Sequence, residues 1–264
     1  MTLSVVLITH NEEANLPRTL ESVTPLVRDG QGEIVVVDSG STDGTLEIAR
    51  AHGAKVFVEP WKGFAAQKNS AMDKASGDWV LQLDADEALE PELTAEIAAT
   101  LRGQPAMSGY WIPRKNFFLG RWIKHGGFYP DPKLRLVRRS AGRFMEYGAH
   151  PTMKVDGKTG KSAHALLHHA YPTLRGYIDH MNSYSSMGAE IAADRGQGRF
   201  SILNIVARPL LTFIYNYVFR LGFLDGCPGF FIAFSTAYAT LFRHTRLYEH
   251  QQPAAPPCHA RDSR

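Results

Sequence analysis

The chain has 264 residues, 44% hydrophobic and 21% charged, with a formal net charge of +3. That length allows one large domain or two modest ones with a substantial core, and the composition is that of a globular protein. So small a net charge gives no reason to expect nucleic acid as a partner, and two distant cysteines, Cys227 and Cys258, make neither a disulfide framework nor a zinc spacing.

Residues 1–102 alternate strand and helix signals. The run "LSVVLIT" has no basic segment before it, so it reads as a buried strand and not a signal peptide. A cytoplasmic protein is expected. "EANLPRTLESVTPL" then spaces apolar residues for a helix, and "EIVVVD" is a second strand ending at Asp38. "LEIARAHG" reads as a helix closing on Gly53, "KVFVE" as a third strand and "FAAQKNSAMDKA" as a helix. "DWVLQLD" is a fourth strand, and Pro91 sits where the helix "PELTAEIAATL" begins. Such alternation predicts an α/β fold with a mostly parallel sheet and ligands at the carboxyl ends of its strands. The polar clusters "THNEE", "DSGSTDGT" and "DADE" follow three of those ends.

Residues 103–170 carry more aromatics and Gly-Pro turns, which predicts short strands and long loops. Residues 171–247 read as helical. Arg208 and Pro209 interrupt the apolar segment "FSILNIVARPLLTFIYNYVFRLGF", and "GFFIAFSTAYATLF" falls short of the roughly 20 residues a spanning helix needs. Between Arg195 and Arg246, six arginines (Arg195, Arg199, Arg208, Arg220, Arg243 and Arg246) accompany one acid, Asp225. Apolar-aromatic helices rimmed by arginine suit a membrane interface; a helical cap packed on the sheet, or a dimer interface, is the competing reading. The Pro-rich residues from 248 to 264 are expected to be a disordered tail.

Three constellations carry chemistry. Asp38, with Gly40 and Gly44 after it, suits a carboxylate accepting hydrogen bonds from a base or ribose, or else a tight turn with Thr42 or Asp43 as helix cap. No G-x-G-x-x-G or Walker sequence is present. Asp84 and Asp86, spaced i, i+2 after a buried strand, suit a hard divalent cation, Mg²⁺ or Mn²⁺, with substrate phosphates completing its shell. Glu90 belongs to the helix start, and Glu87 has no assigned role. The basic "PRKNFFLGRWIKHGG" and "KLRLVRR" read as a surface for an acidic acceptor or as a plain solvated face.

"VVLITHNEEANLPRTLESV", "EIVVVDSGSTDGT", "GFAAQKNSAM" and "GDWVLQLDADEAL", in that order, resemble the family 2 inverting glycosyltransferases of GT-A fold over residues 1–101. "FYPDPKLRLVRR", "LLHHAY" and "FRLGFLDGCPGF" are similar to the bacterial branch that includes lipopolysaccharide inner-core glucosyltransferases, which extends the match to about residue 247. The resemblance implies a Rossmann-like nucleotide-binding domain with a mixed, mostly parallel sheet and a C-terminal helical cap at the membrane interface. It divides the chain into a nucleotide-sugar-binding half (1–102), an acceptor-binding half (103–170), a membrane-interfacial helical region (171–247) and the tail.

By that resemblance Glu12 lies in the nucleotide-binding loop, Asp38 binds the base or ribose, and Lys68 serves the base and diphosphate region. Asp84 and Asp86 match the D-x-D pair, Asp86 being the more direct metal ligand, and His168 a histidine that approaches the metal or diphosphate. The branch has a His-Glu pair where this chain reads His150-Pro151, so the base is Glu146, or another acid such as Asp131, or the activity is altered; Glu146 is preferred, with His150 beside the substrate. The implied reaction is transfer from a nucleotide-diphospho-sugar to a membrane glycolipid such as lipopolysaccharide core, by an enzyme peripheral on the inner face of the cytoplasmic membrane. The alternatives are a polyprenyl-phosphate sugar synthase, which needs no strong base, and a non-catalytic nucleotide-sugar-binding adaptor.

Overall fold

The computed structural model of the chain describes residues 1–103, 105–147, 150–194 and 202–250. They fall into two compact units, one of residues 1–174 and one that begins at 175, so the expected division near residue 102 lies inside the first unit.

The first unit is built on a seven-stranded sheet. Its centre comprises β1 (Leu3–Thr9), β2 (Gly32–Asp38), β3 (Lys55–Val58) and β4 (Trp79–Asp84), all parallel, in the order β4-β1-β2-β3. Alternate residues of these strands enter two separate cores. Val5, Leu7, Val36 and Leu81 pack on one face with α1 (Leu16–Val27) and α4 (Pro91–Arg102). Val6, Val35, Val37 and Val80 pack on the other with α3 (Phe64–Lys74). A strand buried on both faces needs apolar side chains at every position, which is why these runs are continuous. On α1 the buried Leu16, Leu20 and Val23 repeat at helical spacing. The short α2 (Thr45–Ala51) ends just before Gly53, whose φ of +73° is the left-handed stop that glycine takes without strain.

The order continues past β4 through antiparallel β9 (Lys133–Arg138) to β6 (Gly109–Ile112) and β12 (Thr159–Lys161). A second sheet has the order β5 (Glu87–Leu89), β13 (Leu166–Tyr171), β7 (Arg114–Phe118), β8 (Arg121–Trp122). A ribbon pairs β10 (Gly142–Tyr147) with β11 (His150–Val155).

The second unit is helical: α5 (Leu174–Asp194) opens it, followed by α6 (Ile202–Ile214), a π-helical turn over Tyr215–Phe219, and α7 (Cys227–His250). α7 runs to His250, so residues 248–250 belong to a helix and not to the expected tail; 251–264 lie outside the described residues. Among the described residues no helix is long and apolar enough to cross a membrane.

Two carboxylates tie the sheet edge together. Glu33 of β2 is raised by its burial, but hydrogen bonds from Lys55, Ser4 and Ser76 outweigh that and bring it down to about 2. Glu59 is brought down to about 2 by Lys74, Ser70 and Lys62. Both folded values lie below the ordinary 4.5, so their stabilisation is complete above that pH and is lost as pH falls through about 2. Glu59→Gln is therefore expected to destabilise the protein at neutral pH by on the order of 1 kcal/mol, after allowance for solvent screening, and to flatten the acid limb of its stability profile. Urea melts of both proteins at neutral and acid pH check this; parallel profiles refute it.

Candidate active site

The carboxyl ends of β1, β2 and β4 carry the three polar clusters side by side, because the register pairs Thr9 with Asp38 and Ile8 with Asp84. Asp38 is fully buried. One of its oxygens accepts from the backbone nitrogens of Gly40 (2.9 Å) and Ser41 (2.7 Å), and the other from the hydroxyls of Thr9 (2.7 Å) and Ser41 (2.5 Å). Burial raises its carboxyl, but these bonds prevail and the net shift is downward. With about four acceptor positions on a carboxylate, Asp38 is occupied in shaping the loop after β2. Asn11, at φ +55°, locks the neighbouring loop onto it by accepting from the Thr42 nitrogen at 2.8 Å.

Asp84 ends β4 between two cations. Its Oδ1 accepts from Lys68 Nζ at 2.6 Å and its Oδ2 from Arg135 at 2.5 Å. Burial alone would raise Asp84; Arg135 and Lys68 overcome it and hold the carboxyl well below the usual range. Arg135 also bonds Glu87 at 2.5 Å and the side-chain oxygen of Gln82. Glu87, fully buried, accepts further from Arg114 at 3.0 Å, and Arg114 in turn pairs with Asp131. Three cations (Lys68, Arg135, Arg114) thus interleave with three carboxylates (Asp84, Glu87, Asp131).

Asp86 follows in the turn between β4 and β5. α1 secures this turn from below: Thr19 donates to the Ala85 carbonyl at 2.6 Å and Ser22 accepts from the Leu89 nitrogen at 3.0 Å. His168 reaches Asp86 because β13 lies between β5 and β7, with His168 level with Glu87 on one side and Asn116 on the other. Its Nε2 stands 3.5 Å from Asp86 Oδ2, and its Nδ1 is 2.6 Å from Asn116 Oδ1. With Asn116 holding Nδ1, the ring is fixed with Nε2 turned towards Asp86. Glu12 belongs to the same cluster. Burial raises its carboxyl most; a hydrogen bond from Asn15 opposes that, and the charges of Asp86, Asp43 and Asp84 add to the rise.

Glu12, Lys68, Asp84, Asp86 and His168 therefore converge, with Asp38 beneath the adjoining loop. Glu146 is an exposed residue of the ribbon strand β10, two residues from the buried Phe144 and so on the same face. The Phe144 ring centroid is 5.3 Å from Lys68 Nζ, and a Cβ added at Gly63, just before α3, would stand 3.6 Å from Glu146 Oε1. His150 opens β11; its side chain lies outside the described residues. Among the described residues no group of three or more His, Cys, Asp or Glu side chains is placed to hold a metal; Asp86 and His168 form a pair.

Several cations of the two basic segments are engaged within the fold. Arg135 is buried within the ion network, Arg138 donates to the carbonyls of Pro105 and Met107, and Arg139 to that of Gly77. Lys115 is paired with Glu90 at 2.6 Å. These cations are spent on the fold. Gln82, Arg114, Asn116 and Arg135 belong to the site but were not expected there; their only signal in the sequence is a polar or charged residue at an inward strand position, as in "WVLQLD".

Fold and site define a GT-A glycosyltransferase. Residues 4–159, more than half of the chain, match the model described as Glycosyl transferase family 2, and the chain belongs to that family. Similar proteins include the lipopolysaccharide core biosynthesis glycosyltransferase LpsC of Rhizobium meliloti, 29% identical over 97% of this chain and 95% of its own length. The uncharacterised glycosyltransferase RT0209 of Rickettsia typhi is 31% identical over 94% of this chain and 87% of its own. Among solved structures, the mannosyltransferase PcManGT of Pyrobaculum calidifontis, in complex with GDP-Man and Mn²⁺, superposes with a TM-score of 0.56 at 14% identity, covering 95% of this chain and 88% of that one. That likeness bears on the fold.

Proposed function

We propose that the protein transfers a sugar, with inversion, from a nucleotide-diphospho-sugar to a membrane-borne glycolipid of the lipopolysaccharide core type, with the help of a divalent cation, at the inner face of the cytoplasmic membrane. The observation that carries this reading is the Asp86–His168 pair, with the imidazole oriented by Asn116, beside the ionised Asp84. A metal-ligating histidine characteristically has its other nitrogen fixed by a hydrogen bond, so these residues fit a cation. Asp86 and His168 would hold Mg²⁺ or Mn²⁺, with the donor diphosphate and water as the remaining ligands. When bound, the ion neutralises the negative charge that develops on the departing diphosphate. The LpsC likeness supports the acceptor class, and PcManGT, crystallised with GDP-Man and Mn²⁺, supports the donor class and the cation.

The chain's own groups divide the remaining work. Lys68 and Arg135 keep Asp84 ionised, and Asp38 with Asn11 sets the loops after β1 and β2 that receive the nucleoside. Glu146 takes the proton from the acceptor hydroxyl as its oxygen bonds to the anomeric carbon; the bond from that carbon to the diphosphate oxygen breaks, and the nucleoside diphosphate leaves with the electron pair. Asp131 suits this role less well. Burial raises its carboxyl, but Arg114 and Lys133 outweigh that and lower it, and a lowered carboxyl makes a poor base.

Glu146→Gln is expected to reduce transfer to a hydroxyl acceptor by about 10²- to 10⁴-fold while donor affinity stays the same. Single-turnover transfer from a panel of nucleotide sugars to extracted core glycolipid, beside donor titration calorimetry, tests both halves. Unchanged transfer removes Glu146 from the base role. Transfer that survives and requires polyprenyl phosphate establishes the lipid-phosphate synthase instead.

A further inference from the structure

The helical unit contains a cavity of about 590 Å³ outside the site described above. One wall is a single face of α6, with Arg208, Leu211 and Thr212 at helical spacing, continued by Tyr215 of the π-helical turn. The opposite wall is a single face of α7, formed by Thr240, Arg243 and His244. Phe219 of the π-helical turn closes one side and is 73% exposed, while Leu211 is 62% exposed.

Two guanidiniums and an imidazole thus share a pocket whose other walls are largely apolar. Arg208 has its Nε held by Asn204 at 3.0 Å, and no carboxylate pairs with Arg208 or Arg243 among the described residues. Burial, and then the nearness of Arg208 and Arg243, push the His244 imidazole below its ordinary value. Like charges held together around a cavity without a counter-ion leave an electrostatic deficit that an anion relieves. Apolar side chains with arginine forks are the complement of an amphiphile with a phosphate head, since the fork matches phosphate oxygens and exposed Leu211 and Phe219 match acyl carbon. A cavity of this size accommodates such a head with the beginning of its chains.

We propose that the α6–α7 pocket is a binding site for the phosphate headgroup of an anionic membrane phospholipid, with Arg208 and Arg243 as its ligands and Leu211, Tyr215 and Phe219 entering the acyl layer. The assignment rests on the reading that the protein works at a membrane surface and adds where, and through which chemistry, it docks.

Vesicle flotation of the full-length protein tests it, with phosphatidylcholine vesicles compared against phosphatidylcholine mixed with phosphatidylglycerol. Wild-type protein is expected to prefer the anionic vesicles. R208Q/R243Q is expected to lose roughly tenfold or more in partitioning to them, while R175Q, which removes an exposed arginine outside the pocket, loses much less. Donor hydrolysis in detergent, which needs no vesicle, is expected to be the same in all three and shows that the variants are folded. Equal flotation of R208Q/R243Q and wild type, or losses equal to that of R175Q, overturns the pocket while leaving a membrane role intact. Wild-type protein that floats with neither vesicle overturns both. Should R208Q/R243Q instead dissociate a wild-type dimer, with flotation unchanged, the surface is a contact between copies and the lipid assignment falls.

Discussion

Asp86→Ala is expected to lower sugar transfer by more than about 10²-fold and to remove its dependence on divalent cation, because losing a ligand costs more than losing the group that orients one. The side chain is only 27% exposed and sits 3.5 Å from His168, so under the proposed function alanine leaves one protein ligand in place of two. Burial raises the Asp86 carboxyl, but His168 outweighs it and brings it down, which keeps it anionic at neutral pH. Asn116→Ala probes the same site from behind: it frees His168 Nδ1 and with it the choice of tautomer, for an expected loss of about 10- to 100-fold. Titrating activity against Mn²⁺ distinguishes the two variants. Asn116→Ala should recover part of its turnover as the metal is raised, and Asp86→Ala should not. Nucleoside diphosphate binding measured by calorimetry with and without Mn²⁺ supplies a readout independent of turnover. Wild-type turnover and metal dependence in Asp86→Ala would remove the residue from the metal site.

The parallel half of the fold is readable in the chain because its signals are local. A strand buried on both faces announces itself as an unbroken apolar run, and Pro91 and Gly53 mark helix ends from inside a few residues. The strand-end clusters are equally readable, since chain order alone places them on one edge of such a sheet. The partners of those clusters depend on register between distant segments. Nothing near "LLHHAY" says that His168 will stand level with Glu87 and Asn116; that follows from β13 entering between β5 and β7.

Arg135 illustrates the same limit with the opposite outcome. In "KLRLVRR" the charged residues alternate with apolar ones, a pattern that normally means one wet face. Here the face opposite Leu134 and Leu136 is also covered. Arg135 is 5% exposed, and its charge is balanced by carboxylates from two strands that precede it by some fifty residues in the chain. The same alternation makes structural cations look like an acceptor surface.

Arg135→Met is the second large effect expected. The guanidinium reaches three acceptors on two elements: Gln82 and Asp84 on β4 of the large sheet, and Glu87 on β5 of the small one. Methionine fills much of the volume but leaves Asp84 with Lys68 alone and the fully buried Glu87 with Arg114 alone. Removing one partner of a buried ion group costs about 3–5 kcal/mol, because the desolvation of the survivors is no longer offset. For a chain of this size that corresponds to a fall in Tm of roughly 6–20 °C. Arg135→Lys should rescue little, since an ammonium has no fork with which to hold the Asp84 and Glu87 oxygens together. Glu87→Gln in the Arg135→Met background should recover part of the loss by removing the charge left with fewer partners, and Glu87→Gln alone completes a double-mutant cycle with these two and the wild type. Urea melts with matched slopes measure it; a cost under about 1 kcal/mol for Arg135→Met would mean that water or Lys68 compensates fully. The turn bearing Asp86 is strung between those two sheets, with β4 on one side and β5 on the other. Loosening their ion tie should therefore also blur the Asp86–His168 spacing, so Arg135→Met protein that remains folded at low temperature should need more metal for half-maximal activity than the wild type.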